Sequence, residues 1–195
     1  RVLKLETLVW AHMYDDTVQY ATGNSATLSV ERMAAPKIEP EIVFKVKQPV
    51  SGTDPAAILA GVEWFALGFE IIDCIFPDWK VQPVDFVAAF GLHAALVVGQ
   101  PVPVQPDMIA TLAEQLKGFQ LQLMKDGQLM EEGSGKNSLR SPALCLGELA
   151  SRTSLNPGDL VSSGTLTSGS RIGAGEEWKA QVEGLTLPSL RLALT

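Results

Sequence analysis

Alternation of apolar and polar positions runs through most of this chain and predicts strands more often than helices. Ala26-Thr27-Leu28-Ser29-Val30 alternates, and so does the longer stretch 37–47, rich in Ile, Val and Phe. Phe119, Leu121 and Leu123 alternate with Gln120, Gln122 and Met124, the mark of a half-exposed strand. Lys125-Asp126-Gly127-Gln128 then supplies an Asp-Gly hairpin turn into a partner strand over 129–132. The apolar runs 69–75 and 94–98 read as buried strands, and two last strands are expected near 177–183 and 189–194. Helical signals are scarcer. Asp54-Pro55 opens one helix, with an N-cap acid ahead of a proline at the first helical position. Its apolar face, Ile58, Val62 and Phe65, predicts that it runs from 55 towards 65, with Gly68 ending it. Residues 84–87, 106–117 and the segment from Ser141-Pro142 to 149 are further helices, whereas 8–20, 48–52 and 156–159 read as irregular or turn. Many strands, few helices and short connections predict a single-domain α+β fold. Its frame is a mostly antiparallel curled β-sheet (a mixed β-sandwich roll) with a few helices.

Composition narrows the class. A chain of 195 residues, 46% hydrophobic and 19% charged, buries one good core and is not disordered. A net charge of −7 argues against nucleic acid or an anionic membrane surface as partner, and means that an anionic ligand needs a local cation. Apolar runs such as 56–72 and 88–98 are broken by Glu, Gly or His, so no membrane span is expected, and there is no signal peptide. Cys74 and Cys145 match no metal or redox spacing, which predicts buried thiols in a reducing cytoplasm. The chain opens with Arg1 and not Met, which predicts that an N-terminal segment lies outside it.

The chemistry concentrates in three acids. In Lys37-Ile38-Glu39-Pro40-Glu41-Ile42, the strand period of two sets both carboxylates on one face and Ile38, Pro40 and Ile42 on the other. Two acids side by side raise each other's pKa unless a cation lies between them, and a hard divalent ion with oxygen ligands resolves that conflict. Glu70, embedded in an apolar strand, is hard to satisfy without a partner and makes a third such ligand. No His or Cys set competes for zinc, and Gly133-Ser134-Gly135-Lys136 lacks the spacing of a phosphate loop. The hydroxyl-rich stretch 164–170 offers N–H and O–H groups to a carboxylate.

Pro36-Lys37-Ile38-Glu39-Pro40-Glu41-Ile42-Val43-Phe44 resembles the glutamate-pair segment of the 2-keto-4-pentenoate hydratase group of the fumarylacetoacetate hydrolase superfamily. Three more segments resemble it in the same order: Phe69-Glu70-Ile71-Ile72-Asp73, then Asp78-Trp79-Lys80 with Val84-Asp85, and Ser163-Gly164-Thr165-Leu166-Thr167. The resemblance implies the C-terminal-domain fold of that superfamily and a homo-oligomer. It also implies Mg²⁺ or Mn²⁺ on Glu39, Glu41 and Glu70, with substrate contacts at Gly164, Thr165 and Thr167. Lys80 matches a lysine often found after the acid-bearing strand. The run 88–95 departs from the family by lacking its acidic, Asn- and Ser-rich character, and His93 is its acid–base candidate. The activity implied is hydration of a short 2-hydroxy-2,4-dienoate to a 4-hydroxy-2-oxo acid in aromatic-compound degradation. Alternatives on the same metal site are 4-oxalocrotonate decarboxylase and acylpyruvate hydrolase; another is a non-catalytic paralogue or partner subunit.

Overall fold

The computed structural model describes residues 9–136 and 140–195. Its strands are β1 (Val18–Tyr20), β2 (Ser25–Leu28), β3 (Pro36–Val46), β4 (Val62–Asp73), β5 (His93–Val98) and β6 (Val102–Pro103). They continue as β7 (Gln120–Lys125), β8 (Gln128–Ser134), β9 (Leu160–Ser162), β10 (Ser170–Arg171), β11 (Glu177–Glu183) and β12 (Leu190–Leu194). The helices are α1 (Pro55–Ala60), α2 (Pro83–Ala88), α3 (Ile109–Gln115) and α4 (Pro142–Ala150), joined by short 3₁₀ turns.

Two sheets share one core. The first runs β1-β5-β4-β3-β10, with β6 also on β4 and β9 also on β3; the second runs β2-β12-β11-β7-β8. Pairing is antiparallel except for β1 on β5 and β2 on β12. One face of β3 and β4 sends Ile38, Ile42, Phe44, Phe65 and Phe69 into a cluster that also takes Leu121, Leu123, Trp178 and Leu192 from the second sheet. The α+β reading therefore holds, and the hairpin over Asp126-Gly127 forms where the sequence places it.

Two element predictions fail. The helix expected to run towards Phe65 stops at Ala60, and β4 begins at Val62. Gly61 caps it, in a position where an added Cβ would come within 2.8 Å of Val50 Cγ2 and 3.2 Å of the Gln48 carbonyl. Beyond it, Val62, Trp64 and Phe65 suit a pleated, buried surface, and β3 offers them a partner as far as Val46. The i, i+3, i+4 apolar spacing was a local signal that long-range pairing overrode. The segment 8–20 is likewise not wholly irregular, since 18–20 form β1 along the edge of β5.

Candidate metal centre and cavity

Glu39, Glu41 and Glu70 come from the two longest strands, and the ladder between them sets their spacing. Glu39 lies directly opposite Glu70 and Glu41 opposite Gly68. All three project to the face away from the shared core, where Val43, Ala66 and Leu96 form a separate small cluster. One carboxylate oxygen from each lies within 4.8 Å of the others. Like charges directly opposite on a sheet repel, so the arrangement is unfavourable unless protons or a cation intervene.

The electrostatics follow. Burial, and then the neighbouring Glu70 charge, raise the Glu39 carboxyl from an ordinary 4.5 to about 7, against the opposing pull of Lys37. The Lys37 ammonium is itself held 3.7 Å above the Trp79 ring. Glu41 is 1% exposed. Burial, then Glu70 and Glu39, push its pKa well above the usual range, although Ser162 and Gly164 pull it down. One Glu41 oxygen accepts from the Ser162 hydroxyl at 2.5 Å and from the Gly164 N–H at 2.8 Å. The other, Oε1, is buried with no hydrogen-bond partner among the described residues. A buried, unpartnered carboxylate oxygen is costly, and Glu41 lies beside two more carboxylates. Three oxygen donors with an orphaned lone pair fit a hard divalent cation such as Mg²⁺, Mn²⁺ or Ca²⁺ and do not suit a thiol- or imidazole-seeking metal.

Glu70 finds its partner in His93, whose Nδ1 lies 2.8 Å from Glu70 Oε1. A bulge makes that contact. Ile71 pairs with Ala95 but Ile72 pairs with His93, so β5 carries one extra residue there. Both Ala94 and Ala95 then pack on the shared core, and His93 is turned to the face of Leu96 and Glu70. The far side of the ring is also held. Nε2 lies 3.0 Å from Thr17 Oγ1, and the Thr17 hydroxyl donates to the Tyr14 carbonyl at 2.7 Å.

A cavity of about 700 Å³ opens onto this cluster and is lined there by Glu41, Glu70, His93, Ser162, Ser163 and Gly164. Of the substrate-contact residues read from the sequence, Gly164 lines it. Thr165 and Thr167 lie outside the lining and hydrogen-bond to each other, with the Thr167 N–H donating to Thr165 Oγ1 at 3.3 Å. Lys80 lies outside it too, in solvent, paired with Asp78 at 3.3 Å. Ser162 was missed by the sequence reading. Its signal is its place two residues before Gly164 on a strand paired with β3, which only the fold discloses.

The model of the fumarylacetoacetate (FAA) hydrolase C-terminal family matches residues 7–191. The chain belongs to this family. It is similar to 2-hydroxyhexa-2,4-dienoate hydratase of Comamonas testosteroni, 27% identical over 185 residues that make up 90% of this chain and 67% of the relative. It is 31% identical to 2-hydroxypent-2,4-dienoate hydratase of Pseudomonas putida over 139 residues, 69% of this chain and 59% of that protein. The chain thus spans about two thirds, or less, of the length of these FAA hydrolase relatives. Among solved structures, it superposes with a TM-score of 0.76 on 4-oxalocrotonate decarboxylase from Pseudomonas putida G7, complexed with magnesium and adipate. That likeness, at 21% identity over 93% of this chain and 67% of the other, establishes a shared fold.

Proposed function

We propose that this FAA hydrolase family member is a Mg²⁺- or Mn²⁺-dependent hydratase, a carbon–oxygen lyase. It would add water to a short 2-hydroxy-2,4-dienoate to give a 4-hydroxy-2-oxo acid, a step of aromatic-compound breakdown. The observation that carries this reading is the orphaned Glu41 oxygen within a three-carboxylate cluster, of which Glu41 and Glu70 line a cavity. The names of the two hydratase relatives supply the substrate class.

Glu39, Glu41 and Glu70 would hold the cation. When bound, it supplies Lewis-acid polarisation of the substrate's 2-oxo or 2-enol oxygen. Ser162 and the Gly164 N–H hold one Glu41 oxygen and leave the other without a hydrogen bond, and Gly164 presents backbone to the cavity. His93 is the group we assign to proton handling. The net reaction requires it: the dienol proton is relocated to C5, water oxygen adds at C4, and C3 takes up a proton. With Thr17 on Nε2 and Glu70 on Nδ1, the imidazole is held in one orientation at the cavity wall. A general acid–base group within reach of its proton typically contributes 10²–10⁴-fold. Because both His93 nitrogens are engaged, its proton exchange with a ligand would run through Glu70, which lines the cavity. Cys74 and Cys145 are buried and suit a reducing compartment, and we propose that the enzyme works in the cytoplasm.

The test is to follow the ultraviolet absorbance of 2-hydroxypenta-2,4-dienoate with purified protein and Mg²⁺. Decay that depends on Mg²⁺ and disappears with a chelator supports the hydratase. Release of carbon dioxide from 4-oxalocrotonate without dienoate turnover would replace it with the decarboxylase. Tight metal binding with no turnover of either would indicate a non-catalytic partner subunit.

A further inference from the structure

The cavity has two chemically different parts. At the cluster it is polar, with Glu41, Glu70, His93 and the 162–164 backbone. Elsewhere its wall is mainly Trp10, Met13, Phe86, Phe90, Leu149 and Leu155, interrupted by the neutral polar residues Thr153, Ser154 and Asn156. Tyr14 lines it as well and meets Phe90 edge-on, with ring centroids 5.9 Å apart. Among the described residues, the charged groups lining this second part are the carboxylates Asp15 and Asp159. The His12 ring lies edge-on to Trp10 at 5.3 Å.

A 2-oxo acid anchored by its oxo and carboxylate oxygens at the cluster would lay its remaining carbons along this wall. A second carboxylate at that end would lose hydration against aromatic and aliphatic side chains and would meet two acids of its own sign. Both effects are unfavourable. An apolar substituent would instead gain from burial, and about 700 Å³ leaves room for one well beyond five carbons. We infer that the site selects monoanionic 2-hydroxydienoates carrying an apolar substituent remote from the carboxylate, and discriminates against dicarboxylic ones. The inference rests on the proposed function only in placing a 2-oxo acid at the cluster.

Calorimetric titration of the Mn²⁺-loaded protein with unreactive 2-oxo acids tests it without turnover. The probes are 2-oxobutanoate, 2-oxohexanoate, 2-oxooctanoate and 2-oxoadipate. Affinity is expected to rise about fourfold per methylene along the monoacids. 2-Oxoadipate, the six-carbon match to 2-oxohexanoate, should bind about tenfold more weakly than that acid. Phe90→Arg, at a residue 52% exposed, should raise the affinity ratio of 2-oxoadipate to 2-oxohexanoate about fivefold. Tyr14→Arg, 57% exposed, serves as a second variant with the same expected direction. A flat monoacid series, or 2-oxoadipate binding as tightly as 2-oxohexanoate, overturns the inference and leaves the metal-site reading standing. Failure of all four acids to bind removes the 2-oxo-acid reading itself and the inference with it.

Discussion

At the scale of single residues, the site is a set of charges that the fold holds closer than they would lie by choice. Glu39 titrates near 7 instead of 4.5 because burial and Glu70 disfavour its anion. Between those two values the folded protein keeps a proton that the unfolded chain gives up, so stability falls as pH rises. The contribution is complete below about 4.5 and lost through about 7, on the order of 3 kcal/mol, with Glu41 acting in the same direction. With a chelator present, the melting temperature should therefore drop from about pH 5 to about pH 8. Saturating Mg²⁺ should abolish most of that drop, since a divalent cation replaces the protons. A chelator-treated protein that became more stable across this interval would contradict the assignment. The glutamates could be read from the sequence because strand period and an acid in an apolar run are local signals. The His93–Glu70 contact could not, because a regular β5 would have turned His93 towards the core, and only the extra residue at Ala94 brings it round.

At the scale of elements, local and long-range signals compete, and the outcome depends on which is stronger. The β7–β8 hairpin was legible because Asp126 and Gly127 take φ of 48° and 79°, which few residue pairs tolerate. Gly127→Ala would meet no atom within 4 Å. Its cost is therefore purely conformational, about 1 kcal/mol, and should appear as a lower urea midpoint. Mn²⁺ affinity should be unchanged, because the hairpin belongs to the sheet opposite the glutamates. A loss of metal binding in that variant would mean that the two sheets do not position the site independently. The misread end of α1 shows the opposite case. Val62 and Phe65 continue a helical apolar stripe, yet the residue that decides is Gly61, and the partner that decides is β3, more than fifteen residues away.

At the scale of the whole molecule, two sheets around one core leave the opposite face of β3 and β4 free to carry the carboxylates. The cavity is completed by segments far apart in sequence, 9–20, 86–93 and 145–164, none of which carries a pattern that predicts their meeting. Ile75, Val84 and Val87 are 71%, 71% and 62% exposed, and Ile75 and Val84 flank the 77–80 turn. Large apolar side chains exposed to this degree are where a second copy of the chain would be expected to bind. Light scattering should report a mass at least twice the 20.9 kDa of the chain, and Val84→Glu combined with Val87→Glu should shift it to the monomer. No helix among the described residues is long and apolar enough to cross a membrane.

Whether Glu39, Glu41 and Glu70 hold one divalent ion together is read by Mn²⁺ binding followed by electron paramagnetic resonance. Wild-type protein at about pH 8, where Glu39 is ionised, is expected to bind one Mn²⁺ per chain. Glu41→Gln removes the charge of the carboxylate that carries the orphaned oxygen, and should weaken that binding by about tenfold to a hundredfold while leaving the fold intact by circular dichroism. Equal Mn²⁺ affinity in wild type and Glu41→Gln would contradict the account.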